Sequence, residues 1–262
     1  MPSYFERIGS ERFRPTAHTG GAWRPDDEQH FSPLGGLIVH AIDGFLAPRE
    51  GRGMHLSRIT FDILGFLARE ELEIHVDTVR PGRTIELVEA TVVIAGRVAV
   101  IARAWLLAVY GTAAVAGGAA GPLAPPDELP TRPLASVWPG GYIASLDLRP
   151  VEPPRPGRAR TWVSTDLELV AGEPSTSLAR YVALVDTANG VAVREPPTAW
   201  LFPNVDLSIH LHRQPAGRWV GLDTTVVFGA EGQGVTSTVL HDTGGAVGYA
   251  HQILTIRPLD PS

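Results

Sequence analysis

The chain contains no cysteine and no lysine among its 262 residues. The first absence excludes disulfides, thiolate metal sites and a cysteine nucleophile. The second removes Schiff-base chemistry, including lysine-bound pyridoxal phosphate, and the lysine of a phosphate-binding P-loop. Every one of the 22 basic residues is arginine, and with 28 acidic residues the net charge is −6. That balance argues against a nucleic-acid or anionic-membrane surface as a partner. Long hydrophobic runs are also missing. The longest, VAVIARAWLLAVYGTAAVAGG (98–118), is broken by Arg103 and ends in glycine, whereas a membrane span needs about 20 apolar residues. The N-terminus, MPSYFERIGSERFRP, carries charge where an export signal has its apolar region. The expectation is a soluble, intracellular chain, cytoplasmic and not exported.

A hydrophobic content of 44% is enough for a substantial core. Residues 111–141, GTAAVAGGAAGPLAPPDELPTRPLASVWPGG, lose all periodicity and read as a linker between two halves, 1–110 and 142–262. In the first half, SPLGGLIVHAIDGFLA (32–47) reads as an enclosed helix with Ser32 as its cap and Pro33 in its first turn. Four strand candidates follow: MHLSRITFDIL, ELEIHVDTV, TIELVEATVVI and VAVIARAWLLA. The second half repeats the order. TSLARYVALVDTANG (176–190) reads as a helix closed by Asn189-Gly190, and NVDLSIHLHR, RWVGLDTTVVF, GVTSTVL and AVGYAHQILTI read as strands. Aligning the halves at a separation of 149 residues pairs His55 with Asn204 and Arg103 with Gln252. The fold expected is α+β, an internal duplication in which each half wraps one helix in an antiparallel sheet.

The strand NVDLSIHLHR alternates cleanly, with Val205, Leu207, Ile209 and Leu211 on one face and Asn204, Asp206, Ser208, His210 and His212 on the other. His210 and His212 have the i, i+2 spacing of strand ligands, but zinc takes three or four ligands and only Asp206 offers a third. No metal and no cofactor are expected.

The motifs GAWRPDDEQHFSPLGG (21–36), VDTVRPGRTIELVEA (76–90), VDTANGV (185–191), NVDLSIHLHR, GRWVGLD (217–223) and HDTGGAVGYAHQILTI (241–256) stand in an order and spacing that resembles the acyl-CoA thioesterase II family, in its actinobacterial thioesterase-like branch. The resemblance implies a double hotdog fold and hydrolysis of an acyl thioester, on coenzyme A or a carrier protein, by direct attack of water. It also implies three catalytic positions that hold the water. These fall on Asp186 of VDTANG, Gln252 of AHQIL and Asn204, the last where the family carries a hydroxyl residue. A homodimer or larger assembly is implied too. Relatives have a compact His-Gly-Gly where this chain has HFSPLGG, so His30 is not among the expected site residues.

Read on their own, Asp186 lies at the edge of the helix's apolar face, where desolvation raises a carboxyl pKa toward that of a general base. Gln252 shares a strand face with Ala250, Leu254 and Ile256 and needs a partner there, either a site water, a thioester carbonyl or backbone. Gly35 and Gly36, at the start of the first helix, are candidate oxyanion donors, or are small to let the helix pack. Asp206 is a secondary candidate for the same pocket. An alternative chemistry, a hotdog dehydratase or lyase, would use His55 with Asp43. A non-catalytic acyl-CoA-binding hotdog is the third reading. The arginines at 149, 155, 158 and 160 face either coenzyme A phosphates or solvent.

Overall fold

The computed structural model describes residues 1–24, 26–49, 53–134 and 137–259. Its elements follow in chain order: β1 Ser3–Arg7, β2 Arg12–Pro15, α1 Phe31–Leu46, β3 Met54–Ile63, β4 Leu72–Arg80, β5 Ile85–Ile94 and β6 Arg97–Ala108. After a short helix α2, Gly141–Ala144, come β7 Leu146–Pro150, β8 Arg158–Thr165, β9 Glu168–Val170, α3 Ser177–Val185 and α4 Thr187–Val191. The chain then forms β10 Trp200–Leu201, β11 Asp206–Leu211, β12 Val220–Phe228, β13 Gln233–Asp242, β14 Gly245–Thr255 and β15 Arg257–Pro258. Among the described residues no helix is long and apolar enough to cross a membrane.

Thirteen of the strands form one sheet in the order β7-β8-β12-β13-β14-β11-β3-β6-β5-β4-β2-β1-β9. The halves join at its centre, where β3 and β11 pair antiparallel through Ile59↔Ile209. At its far edge β9, from the second half, pairs in parallel with β1 from the first. Because β9 begins three residues after β8 ends, the two margins of the sheet meet and the sheet curls almost shut. The Tyr4 hydroxyl, hydrogen-bonded to Ser145 at 2.6 Å and to Thr165 at 3.2 Å, pins that seam. Inside lie α1 and α3, packed on each other and on the inward rows of the strands.

The ladders fix how the halves correspond. Val76↔Ala90 is matched by Thr224↔Thr238, and Val88↔Ala104 by Thr236↔Gln252, a separation of 148 residues throughout. The sequence alignment at 149 is therefore one residue out of register. Side chains alternate with a period of two, so that slip exchanges inward for outward positions. The true counterparts of Asn204 and Gln252 are Leu56 and Ala104, both buried. His55 and Arg103 point outward to solvent.

Helix ends also differ from the sequence reading. α1 begins at Phe31, not after Ser32, and its cap is His30, whose Nδ1 accepts from the Ser32 N–H at 3.1 Å. Its nearly all-apolar surface is buried from Phe31 to Val39 and again at Ile42. Thr176 caps α3 by accepting from the Ala179 N–H at 3.1 Å. That helix breaks at Asp186, and Asn189-Gly190 lies inside the short α4.

Candidate functional site

The break between α3 and α4 places the Asp186 carboxylate, 6% exposed, beneath the strands β11 and β14. Asn204, just before β11, donates through Nδ2 to Asp186 Oδ1 at 2.8 Å. Gln252, inward on β14, donates through Nε2 to the same oxygen at 2.7 Å. An ionised carboxylate only accepts, which fixes both amide orientations. The other hydrogen of the Asn204 amide goes to the Asp206 carbonyl at 3.0 Å. Both amides thus hold Oδ1, Gln252 Oε1 is buried with no partner among the described residues, and Oδ2 is the oxygen on the side of His30.

Opposite Oδ2 stands a residue absent from the expected set. His30 Nδ1 lies 3.7 Å from Asp186 Oδ2, too far for a hydrogen bond. Burial lowers the imidazole to about 4 and raises the carboxyl to about 7. The two amide donors pull Asp186 back down, but desolvation outweighs them. Near neutral pH the contact is accordingly a neutral imidazole beside a titrating carboxyl, not an ion pair. Since Nδ1 accepts from the Ser32 N–H, the imidazole proton sits on Nε2, which has no partner among the described residues. The ring is held against Tyr142, with centroids 4.3 Å apart.

Asp186, Asn204 and His30 line a cavity of about 720 Å³ between the halves. One wall is aromatic: Trp23, Trp138 and Phe202 meet edge to face at centroid distances of 5.2 to 6.1 Å. The Trp138 indole is fixed by donating to the Gly190 carbonyl at 2.9 Å. A large, mainly apolar cavity with a few convergent polar groups is the usual form of a small-molecule site.

The remaining candidates lie elsewhere. Gly35 and Gly36 are the fifth and sixth residues of α1, so their N–H groups are taken up by intrahelical bonds rather than free, and neither lines the cavity. Gly36 is a packing residue: a Cβ there would meet Ala183 Cβ at 2.5 Å and the Ala179 carbonyl oxygen at 2.7 Å. Asp206 Oδ1 accepts from the Ile253 N–H at 2.6 Å, clipping β11 to β14 outside the cavity. The Asp43 carboxylate accepts from the Thr176 hydroxyl at 2.6 Å, and exposed His55 pairs in the ladder with Leu107. These two neither meet nor reach the cavity, so the dehydratase arrangement does not form. His210 is exposed, and His212 Nε2 lies 3.1 Å from the Ala246 carbonyl. Of the arginines at 149, 155, 158 and 160, Arg149 lies in β7 and pairs with Asp147, and Arg158 and Arg160 lie in β8 and pair with Asp223.

His30 left one trace in the sequence, a histidine directly ahead of an apolar helix. Trp23, Trp138 and Phe202 left none, since their convergence is long-range.

The same architecture recurs among known proteins. Residues 19–107 match the acyl-CoA thioesterase N-terminal domain and residues 126–256 the acyl-CoA thioesterase C-terminal domain. Acyl-CoA thioesterase II TesB2 from Mycobacterium marinum superposes with a TM-score of 0.66 at 15% identity, over 98% of this chain and 96% of that one. The tesB protein of Mycobacterium avium subs paratuberculosis gives 0.66 at 16%, over 97% and 96%. A protein with the hot dog fold from Alicyclobacillus acidocaldarius gives 0.70 at 14%, over 98% and 96%. At such identities the likeness is one of fold, and the fold is a double hotdog. Among curated proteins none matches the chain.

Proposed function

The chain belongs to the acyl-CoA thioesterase family, and from that premise we propose that it hydrolyses an acyl thioester by direct attack of water, with Asp186 as general base. The observation that carries this reading is the state of Asp186, buried, held through Oδ1 by Asn204 and Gln252, and raised to about 7. A base of that strength is half ionised at neutral pH, where general-base catalysis is most effective. Water donates to Oδ2 and attacks the thioester carbonyl carbon as its proton passes to the carboxylate. The Nε2–H of neutral His30 donates to the carbonyl oxygen as negative charge develops there. The C–S bond then breaks, the sulfur leaves as thiol with that proton, and the carboxylic acid remains. The aromatic wall of Trp23, Trp138 and Phe202 receives the acyl group.

In this mechanism Asn204 and Gln252 are positioning residues. A hydroxyl at 204 is not required, because its task is to donate to Oδ1 and an amide does so. The test is thiol release from a panel of acyl-CoAs with a thiol-reactive dye; the protein, lacking cysteine, gives no background. Turnover is expected, with kcat/KM rising with pH to a plateau and an apparent pKa near 7. Acyl-CoA bound but never cleaved would refute the hydrolytic reading.

The two amides lower the Asp186 pKa by hydrogen bonding. Gln252→Ala is therefore expected to move the limb of the pH–rate profile to higher pH, besides lowering the plateau. An unmoved limb would mean that Asp186 is not the group titrating.

A further inference from the structure

Beside the catalytic cavity, and sharing Gly190 with it, lies a second cleft of about 420 Å³. Gly190, in α4, lies on the rim common to both, where its carbonyl accepts from the Trp138 indole at 2.9 Å. Four arginines line this cleft, Arg132, Arg155, Arg160 and Arg194, against two acidic residues, Glu152 and Glu195. Arg160 is engaged by Asp223 at 3.2 Å and Glu152 at 3.8 Å. The other three have no ion-pair partner among the described residues. In a chain with a net charge of −6, a cleft with surplus positive charge runs against the average surface. Its lining is otherwise largely apolar, with Leu134, Leu148, Val191, Val193 and prolines such as Pro150 and Pro196.

We infer that this cleft takes the nucleotide end of coenzyme A, with the diphosphate and 3′-phosphate on Arg132, Arg155 and Arg194 and the adenine on the apolar lining. The inference rests on the thioesterase reading for the placement of the sulfur beside Asp186. From there a pantetheine arm passing Gly190 leads out of one cavity into the other. Guanidinium groups are the side chains best matched to phosphate, presenting paired donors in one plane. The site selects coenzyme A over a carrier protein, whose phosphopantetheine has one phosphate and no adenine.

The test replaces all three free arginines at once, Arg132→Gln, Arg155→Gln and Arg194→Gln, and compares acyl-CoA with the matching acyl-pantetheine. The expected result is a KM for acyl-CoA raised about tenfold or more, in keeping with the loss of charged hydrogen bonds, with kcat unchanged and acyl-pantetheine kinetics unaltered. An unchanged KM for acyl-CoA overturns the inference, and so does an equal rise for both substrates. Binding of adenosine 3′,5′-bisphosphate by calorimetry separates this inference from the hydrolytic one. Binding by the parent protein that the triple variant loses supports the cleft even if no thioester is cleaved. No binding by the parent, or equal binding by both, overturns it.

Discussion

Asp186→Asn is expected to remove roughly a thousandfold of the turnover, the usual contribution of a general base, and at the same time to make the protein more stable above pH 7. The geometry survives the change. The asparagine carbonyl still accepts from Asn204 and Gln252, and its new amide takes the place of Oδ2 beside the neutral His30 ring. What changes is the cost of a buried charge. In the unfolded chain the carboxyl titrates near its ordinary 3.8, and in the folded one near 7. The folded state thus holds the proton more tightly, and stability falls as pH rises from about 4 to 7. At pH 8 the full difference, roughly 4 kcal/mol, opposes folding. Asparagine carries no such penalty, so its melting temperature should exceed that of the parent by about 10 °C at pH 8. The gap should close below pH 4, where the parent carboxyl is protonated in both states. Thermal melts at pH 4 and pH 8, beside thiol release, check both halves. An equal melting temperature at pH 8 would mean that Asp186 is not desolvated as described.

Gly36→Ala is expected to destabilise the protein by roughly 2–3 kcal/mol, although alanine is the better helix former by about 1 kcal/mol. The added Cβ would stand 2.5 Å from Ala183 Cβ and 2.9 Å from Ala183 Cα, and also strike the Ala179 carbonyl. Backbone cannot swing aside, so α1 and α3 must separate. Gly44 serves as the control in the same helix, since a Cβ there meets nothing within 4 Å. Gly44→Ala should be neutral or stabilising by up to about 1 kcal/mol. Urea unfolding of both variants reads the contrast. Because α1 also carries His30 at its cap, Gly36→Ala should lower turnover as well, by moving the imidazole away from Asp186. Equal stability of the two variants would mean that the helices do not cross at Gly36.

What the sequence disclosed depended on the range of the contact. The strands β3 to β6 and β11 to β14 alternate with a period of two and lay open. β1, β2, β7 and β8 did not, because SYFER, RFRP and LDLRP are too short to alternate and RARTWVST is buried on both faces near its end. Asp186, Asn204 and Gln252 were reached through the family resemblance; read on their own, an acid on an apolar helix edge and an amide in an apolar row showed only that each needs a partner. That each would be the other's partner was not legible, nor was His30, which reaches Asp186 across 156 residues of chain. The glycines were misjudged for a related reason. A pair at a helix start suggests free N–H groups until the cap, His30, is located five residues before the first of them. The register slip at 149 had the same root, since an alignment of strands by composition does not sense which face is inward.

The corrected register of 148 carries a consequence for valence. The first-half counterparts of Asn204 and Gln252, Leu56 and Ala104, are apolar and buried. On the proposed reading the molecule is a pseudo-dimer whose candidate centre takes its histidine from the first half and its acid from the second. Two separate copies of one sequence would be held to the same residues on both sides of their shared boundary. Joined in a single chain, the sides are free to differ, and here one carries the buried acid while the other carries the neutral histidine that faces it.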